Sequence, residues 1–172
     1  GALNLLSNSV SPKIQEFLKK MLPGHQNGDH YDLPSEAQIE YAMKMAVTSD
    51  GDNIDAMIAR KDIEKLKKYV VFSANSNLEI GTSAVASKLS LYLNGQPIYL
   101  YGNLLEWTND SWNGTSKLPG GKDPLGKTGT ERALRGGSWC SLAQHLLSGS
   151  REFYGPNLRF NFFGFRLVRT RP

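Results

Sequence analysis

The hydrophobic spacing of this chain changes once, near Tyr69, and that single change restricts the fold classes open to it. Before that point apolar residues recur every three or four positions, the period of a helix with one buried face. Ile14, Phe17, Leu18, Met21 and Leu22 follow Ser11-Pro12, a hydroxyl-proline start, and Pro23-Gly24 stops the run, which predicts a helix over 12–22. Pro34-Ser35-Glu36-Ala37-Gln38 reads as a capping box opening a second helix that runs to about Ala46. Ile54, Met57, Ile58, Ile63 and Leu66, after the turn Ser49–Asp52, predict a third. From Tyr69 the pattern becomes short β-prone runs, Tyr69–Phe72 and Leu89–Leu93, with Asn94-Gly95 marking a tight turn. Residues 113–130 then hold Gly114, Pro119, Gly120, Gly121, Pro124, Gly126 and Gly129, a long loop. The expectation is an α+β, loop-rich domain of two or three helices and short antiparallel strands, a single unit over residues 1–172.

Several function classes drop out on composition. The lone cysteine, Cys140, cannot close an internal disulfide, and no Cys-x-x-Cys pair offers a zinc site. No apolar run approaches the roughly 18 residues of a spanning helix, and no secretory or anchoring pattern is visible. The formal charge is only +4, yet seven of the eight arginines (Arg132, Arg135, Arg151, Arg159, Arg166, Arg169, Arg171) follow residue 130, opposed there by Glu131 and Glu152 alone. Such a tail would attract nucleic acid. The preferred reading is structural, with guanidinium forks bracing loops through carbonyls and carboxylates. No nucleic-acid-binding signature accompanies the arginines, so nucleic acid is not the expected partner.

Two histidine constellations are weak. His25 and His30 flank a glycine-containing loop with Asp29 and Asp32 nearby, which does not fix metal ligands on a common face. His145 forms a Cys–His pair with Cys140 only if the fold brings them together. Neither is taken as a catalytic or metal site. The aromatic distribution is more specific. Five of the seven phenylalanines, Phe153, Phe160, Phe162, Phe163 and Phe165, crowd into the last twenty residues with Tyr154. That density exceeds what alternate burial uses, and exposed aromatics supply large contact area at low entropy cost. Of the pair Phe162-Phe163 at least one ring is expected inward, and Phe165 and Trp139 are expected in the core.

Four motifs occur in order. They are Tyr31-Asp32-Leu33-Pro34-Ser35-Glu36-Ala37-Gln38-Ile39-Glu40-Tyr41-Ala42, then Tyr101-Gly102-Asn103-Leu104-Leu105-Glu106-Trp107-Thr108-Asn109-Asp110, then Arg132-Ala133-Leu134-Arg135-Gly136-Gly137-Ser138-Trp139, and finally Gly164-Phe165-Arg166. This series resembles the formylglycine-generating-enzyme, or sulfatase-modifying-factor, family over about residues 10–169. The resemblance implies a C-type-lectin-like fold. The family's hairpins before the first helix are missing, an insertion separates the second helix from the Glu-Trp motif, and Gly95–Leu100 replaces the stretch associated with calcium.

The oxidase members of that family hold copper with two cysteines, and this chain has one, so the copper-dependent formylglycine-generating oxidase is the alternative reading and no cofactor is expected. The layout is closer to family members diversified by retroelements, which keep the fold as a scaffold and vary a C-terminal segment, here about residues 132–168. By that resemblance the protein is a non-enzymatic, ligand-binding receptor at the cell surface or outside the cell, meeting a protein or other macromolecular ligand. The ligand-binding residues would be Cys140, Ser141, Leu142, His145, Glu152, Phe153, Tyr154, Leu158, Phe160, Asn161, Phe162 and Phe163, with Arg151, Arg159 and Arg166 bracing the loops.

Overall fold

The computed structural model describes residues 12–171 except 23, 25, 78–81, 83–87, 116–117, 119 and 123. The expected helix-capping Ser11, the stop residue Pro23, His25 and Pro119 lie outside the described residues. Helix α1 (Pro12–Met21) leads to strand β1 (His30–Asp32), then α2 (Glu36–Met45), α3 (Ile54–Ala59) and α4 (Ile63–Tyr69). Strands β2 (Leu91–Leu93), β3 (Gln96–Ile98), β4 (Leu105–Trp112) and β5 (Glu131–Arg135) follow. A 3-10 turn (Ala143–Leu146) then precedes β6 (Glu152–Tyr154), β7 (Phe163–Gly164) and β8 (Val168–Thr170). The fold is α+β, as expected.

Helix α2 begins where its chemistry dictates. The Gln38 amide donates to Ser35 Oγ at 3.2 Å and the Ser35 amide to Gln38 Oε1 at 2.9 Å, so the capping box satisfies two orphan donors reciprocally. The third predicted helix is two. Lys61 adopts φ 60°, and Asp62 accepts the Lys65 amide at 3.1 Å to cap a new helix. The apolar period continues through that break because α3 and α4 both face one core, which is why spacing alone merged them. That core joins Ile39 and Met43 of α2 with Ile54, Met57, Leu66, Phe72, Leu91, Tyr101 and Leu146.

Residues Tyr69–Phe72, expected as a strand, are otherwise engaged. Tyr69 ends α4, the Val70 amide bonds to Leu66 O, and Val71 makes an isolated bridge to Gly102. The Asn94-Gly95 expectation holds: both residues have positive φ, 50° and 76°, and the turn joins β2 to β3 antiparallel.

A four-stranded sheet in the order β6-β5-β4-β7 organises the second half, with β4 and β7 parallel and the other pairs antiparallel. Register assigns its faces. Trp107 sits opposite Leu134, and Leu134 opposite Glu152, so these share one face with Tyr154, which pairs with Arg132. Arg135, Ala133 and Phe153 project to the other face, against which α2 lies. A second apolar cluster, Leu33, Leu105, Trp107 and Leu134, covers the first face, with Tyr154, Phe163 and Leu167 packed on it.

Candidate functional site

The face toward α2 is ionic. Arg135 is buried and its guanidinium donates to the Ser148 carbonyl at 2.7 Å, the Ser150 carbonyl at 2.7 Å and Glu40 Oε2 at 2.5 Å. Fully buried Glu36 faces Arg135 Nε at 3.9 Å and accepts from Arg151 Nε at 2.8 Å. The Glu36 amide in turn donates to Asp110 Oδ2 at 2.8 Å, and the Gly126 amide to Asp110 Oδ1 at 2.7 Å. Burial holds the Asp110 carboxyl above the usual carboxylate range against the two amides that favour its charge. Burial also pushes the Arg135 guanidinium down, while Glu36 and Glu40 pull it back. Each charge therefore has a partner, the condition under which buried ions persist.

These bonds fix where the segment after β5 leaves the sheet. Gly136 and Gly137 take positive φ, 95° and 70°, and a Cβ on Gly136 would lie 2.7 Å from the Leu100 carbonyl oxygen, so the chain passes closer than any side chain allows. Trp139 is buried, as expected, and its amide bonds to Asn103 O at 2.9 Å. Beyond it the chain surfaces at Cys140.

Of the twelve expected ligand-binding residues, Cys140, Leu142, His145, Phe153, Leu158, Phe160 and Asn161 are exposed; Ser141, Glu152, Tyr154, Phe162 and Phe163 are half-buried. By their contacts eight of them fall into two sets joined at Tyr154 plus an outlier. The first set is polar. Glu152 Oε1 lies 4.0 Å from His145 Nδ1, and the Tyr154 hydroxyl is pushed up by burial and by the charges of Glu152 and Cys140. The second set is aromatic: Phe160 stacks on Phe162 at 5.1 Å and 7°, and Phe163 meets Phe160, Phe162 and Tyr154 edge-on at 5.1, 4.9 and 4.9 Å. Tyr154 belongs to both. Phe153, one residue away on β6, points across the sheet and stacks on Trp112 at 4.7 Å and 4°. Ser141 is structural as well as accessible, since its Oγ accepts the Ser138 amide at 2.9 Å and its carbonyl the Ser73 amide at 3.1 Å.

Trp112 escaped the sequence reading. Arg151 lies over its ring at 4.3 Å while holding Glu36, so one arginine ties the buried ion network to the surface stack. Its only sequence signal is its place two residues after the Glu-Trp-Thr-Asn-Asp run. Among the three expected braces, Arg151 and Arg166 behave as such. Arg166 Nη2 donates to Glu106 Oε1 at 2.6 Å and to the Tyr99 carbonyl, tying the last motif to the second. Arg159 is exposed and holds no described partner.

Phe165 corrects the expectation of a core residue: it is 55% exposed. Strand β7 ends at Gly164, and beyond it Arg166, bound to Glu106, takes the inward course. Phe163 instead supplies the inward ring of the Phe162-Phe163 pair, packing on Trp107 at 5.1 Å. His30 is exposed in β1, and among the described residues no three His, Cys, Asp or Glu side chains converge as metal ligands. Cys140 Sγ has Ser138 Oγ at 3.2 Å as its neighbour, and the chain has no second cysteine for a two-thiolate copper centre.

Comparison with known proteins agrees with this architecture. Variable protein 1 of Treponema denticola superposes with a TM-score of 0.57 and 28% identity, over 85% of this chain and 49% of that one. PvdO from Pseudomonas aeruginosa superposes with a TM-score of 0.59 and 22% identity, over 91% of this chain and 57% of that one, a likeness of fold. The chain thus spans about half the length of these structures. No curated protein sequence matches it. The sulfatase-modifying factor enzyme 1-like domain matches residues 4–171, nearly the whole chain, which therefore belongs to that family.

Proposed function

We propose that this domain is a non-enzymatic recognition module. Its ion-braced sheet would hold a C-terminal surface, centred on Tyr154, Phe160, Phe162 and Phe163, against a protein or other macromolecular ligand, displayed at the cell surface or outside the cell. The observation that carries this reading is the stacked pair Phe160–Phe162, with Phe160 45% exposed above a packed aromatic layer. Rings already immobilised by their neighbours lose little freedom on contact and offer the apolar area that binding hot spots use. The likeness to a variable protein supports the same reading. The single thiol argues against the copper-oxidase alternative.

Two experiments test it. The DNA flanking the coding sequence should carry a reverse transcriptase and a near-copy of the segment for residues 132–168, with adenines at the codons of the twelve expected ligand-binding residues. Independently, a library randomised at the exposed positions Cys140, Leu142, His145, Leu158, Phe160 and Asn161 should stay folded by thermal melting and yield binders to unrelated proteins. Libraries that unfold would defeat the scaffold claim, and stoichiometric tight copper binding with oxygen uptake would restore the oxidase.

A further inference from the structure

Trp112 and Phe153 come from strands that are not neighbours, and the strand between them is what lets them meet. On β5, Ala133 lies opposite Phe153, and Glu131, two residues before it, lies opposite Trp112. Residues two apart on a strand share a face, so Trp112, Ala133 and Phe153 stand together on the side toward α2. Ala133 is fully buried and carries only a methyl group, so the Trp112 ring crosses β5 over it and stacks on Phe153 at 4.7 Å and 4°. Arg151, two residues before Phe153, projects the same way, and its guanidinium lies 4.3 Å from the centre of the same ring. One indole therefore carries both exposed Phe153 and the arginine that holds buried Glu36.

The same arginine reaches the long loop. Its Nη1 donates to the Thr115 carbonyl at 3.0 Å, just beyond Trp112 in the chain. The loop also returns to the sheet beside Trp112: the Ser111 amide donates to the Gly126 carbonyl at 2.8 Å, and the Gly126 amide to Asp110 Oδ1 at 2.7 Å. At Gly129 an added Cβ would lie 1.7 Å from the Trp112 carbonyl oxygen, so the backbone there runs against Trp112 with no room for a side chain. Both ends of the 113–130 loop are thus fastened around one residue. The returning end hangs on Asp110 and the outgoing end on Arg151, so only the outgoing end feels the Trp112 stack.

We infer that Trp112 is a positioning residue for the recognition surface: it orients the ring at position 153 and, through Arg151, the start of the 113–130 loop, so that a change at 153 alters two parts of that surface together. The role in recognition rests on the function proposed above; the coupling itself needs no ligand. Phe153 then differs in kind from Phe160. The rings Phe160 meets all belong to its own segment, whereas Phe153 covers Trp112, and a smaller side chain there frees the indole to turn away from the guanidinium. Arg151 stays on Glu36, because breaking a buried ion pair costs far more than losing a ring contact, and so the bond it gives up is the one to Thr115. Position 153 accordingly favours flat rings, and the first residues of the loop belong to what a ligand meets.

Two measurements on the full chain test this, and neither uses a ligand, so a failure of the recognition reading leaves their outcome untouched. In NMR spectra, Phe153→Ser should move the Thr115 amide and carbonyl signals while the Gly126 amide stays near its parent position. Phe153→Tyr, which keeps the stack, and Phe160→Ser, which does not touch it, should both leave Thr115 in place. In the second measurement position 153 alone is randomised, and displayed variants are selected for resistance to protease. Phe, Tyr and Trp should be enriched about two- to tenfold over aliphatic residues, the ratio that one aromatic stack supports. That preference should vanish in a Trp112→Ala background and return in Trp112→Phe. Should Trp112→Ala not fold, Trp112→Leu fills the space without a ring and serves the same comparison. The inference is overturned if Thr115 does not respond to Phe153→Ser, if it responds equally to Phe153→Tyr or Phe160→Ser, or if the same residues are selected at 153 whatever stands at 112.

Discussion

The two faces of the β6-β5-β4-β7 sheet solve opposite problems with residues from the same stretch of chain. Toward α2, Arg135, Glu36, Glu40 and Arg151 are buried or nearly so, each held by several partners. On the opposite face, Trp107 and Leu134 carry a layer of aromatic rings that thins from packed Phe163 to open Phe160. The first arrangement tolerates almost no change, because removing one ion strands the others in a low dielectric. The second tolerates much, because its outer rings leave no polar group unsatisfied when altered. Fixed packing and tolerance to substitution are thus expected on opposite faces of one sheet, with exposed Phe153 the exception on the α2 side.

The largest expected effect falls on the ionic face. Arg135→Ala strands Glu36 and Glu40 and leaves the Ser148 and Ser150 carbonyls without their donor. It should cost about 3–5 kcal/mol in urea unfolding, as for other broken buried pairs. A loss below about 1 kcal/mol would put this pair in the class of surface ion pairs and erase the contrast between the faces.

Next comes the backbone approach that sets the loop height. At Gly102, φ is 68° and an added Cβ would lie 2.1 Å from the Val71 carbonyl oxygen. Gly102→Ala should therefore cost about 1–3 kcal/mol in the same measurement, by overpacking and left-handed strain. It should also shift the amide NMR signals of Gly136, whose carbonyl accepts from the Gly102 amide at 2.7 Å, and of Trp139, tied to Asn103.

Much of this contrast could be read from the sequence, and the parts that could not share a cause. The capping box, the Asn94-Gly95 hairpin and the ordered motifs are local patterns whose chemistry acts within a few residues, and the structure keeps each of them. The break at Lys61 was hidden because two helices sharing one core preserve a single hydrophobic period. Tyr69–Phe72 reads as a strand by composition, but α4 keeps Tyr69, and the remaining residues find only one bridge. For the candidate site, alternation along β6 is legible, yet the register that sends Phe153 toward Trp112 and Tyr154 toward Phe163 depends on pairing with β5, a long-range fact. Phe165 failed for a similar reason: where β7 stops decides its direction, and nothing in Gly164-Phe165-Arg166 marks that end.

A smaller, pH-dependent effect separates charges within the ionic face. Burial alone would raise the Glu40 carboxyl, but the Lys44 hydrogen bond and the Arg135 charge outweigh it and hold Glu40 below its ordinary value of 4.5. A depressed carboxyl contributes stability above its unfolded value and loses it as pH falls through the folded one. Asp110, raised from 3.8, has the opposite sign: its contribution is complete below that value and is lost as pH rises through the folded one. Urea midpoints measured from pH 3 to 7 should therefore show parent stability dropping below about pH 4.5, with a shallower drop in Glu40→Gln. Parallel profiles would mean that neither Lys44 nor Arg135 holds Glu40 in solution.

The smallest stability change is expected where the consequence for binding is largest. Phe160→Ser removes a ring that is 45% exposed and whose contacts are with other rings of the segment, so it uncovers no buried polar group. The loss is that of a half-buried aromatic contact, about 0.5–1.5 kcal/mol. A substitution deeper in the same layer behaves differently. Phe163→Ser exposes Trp107 and puts a hydroxyl against Leu105 and Leu134, with an expected cost of about 3–5 kcal/mol, as for truncated core aromatics. The ratio between the two, read from urea midpoints of single variants, measures how abruptly the aromatic layer passes from scaffold to display. Near-equal losses would mean that Phe160 belongs to the core in solution, and the surface available to a ligand would shrink to the polar set around Glu152 and His145.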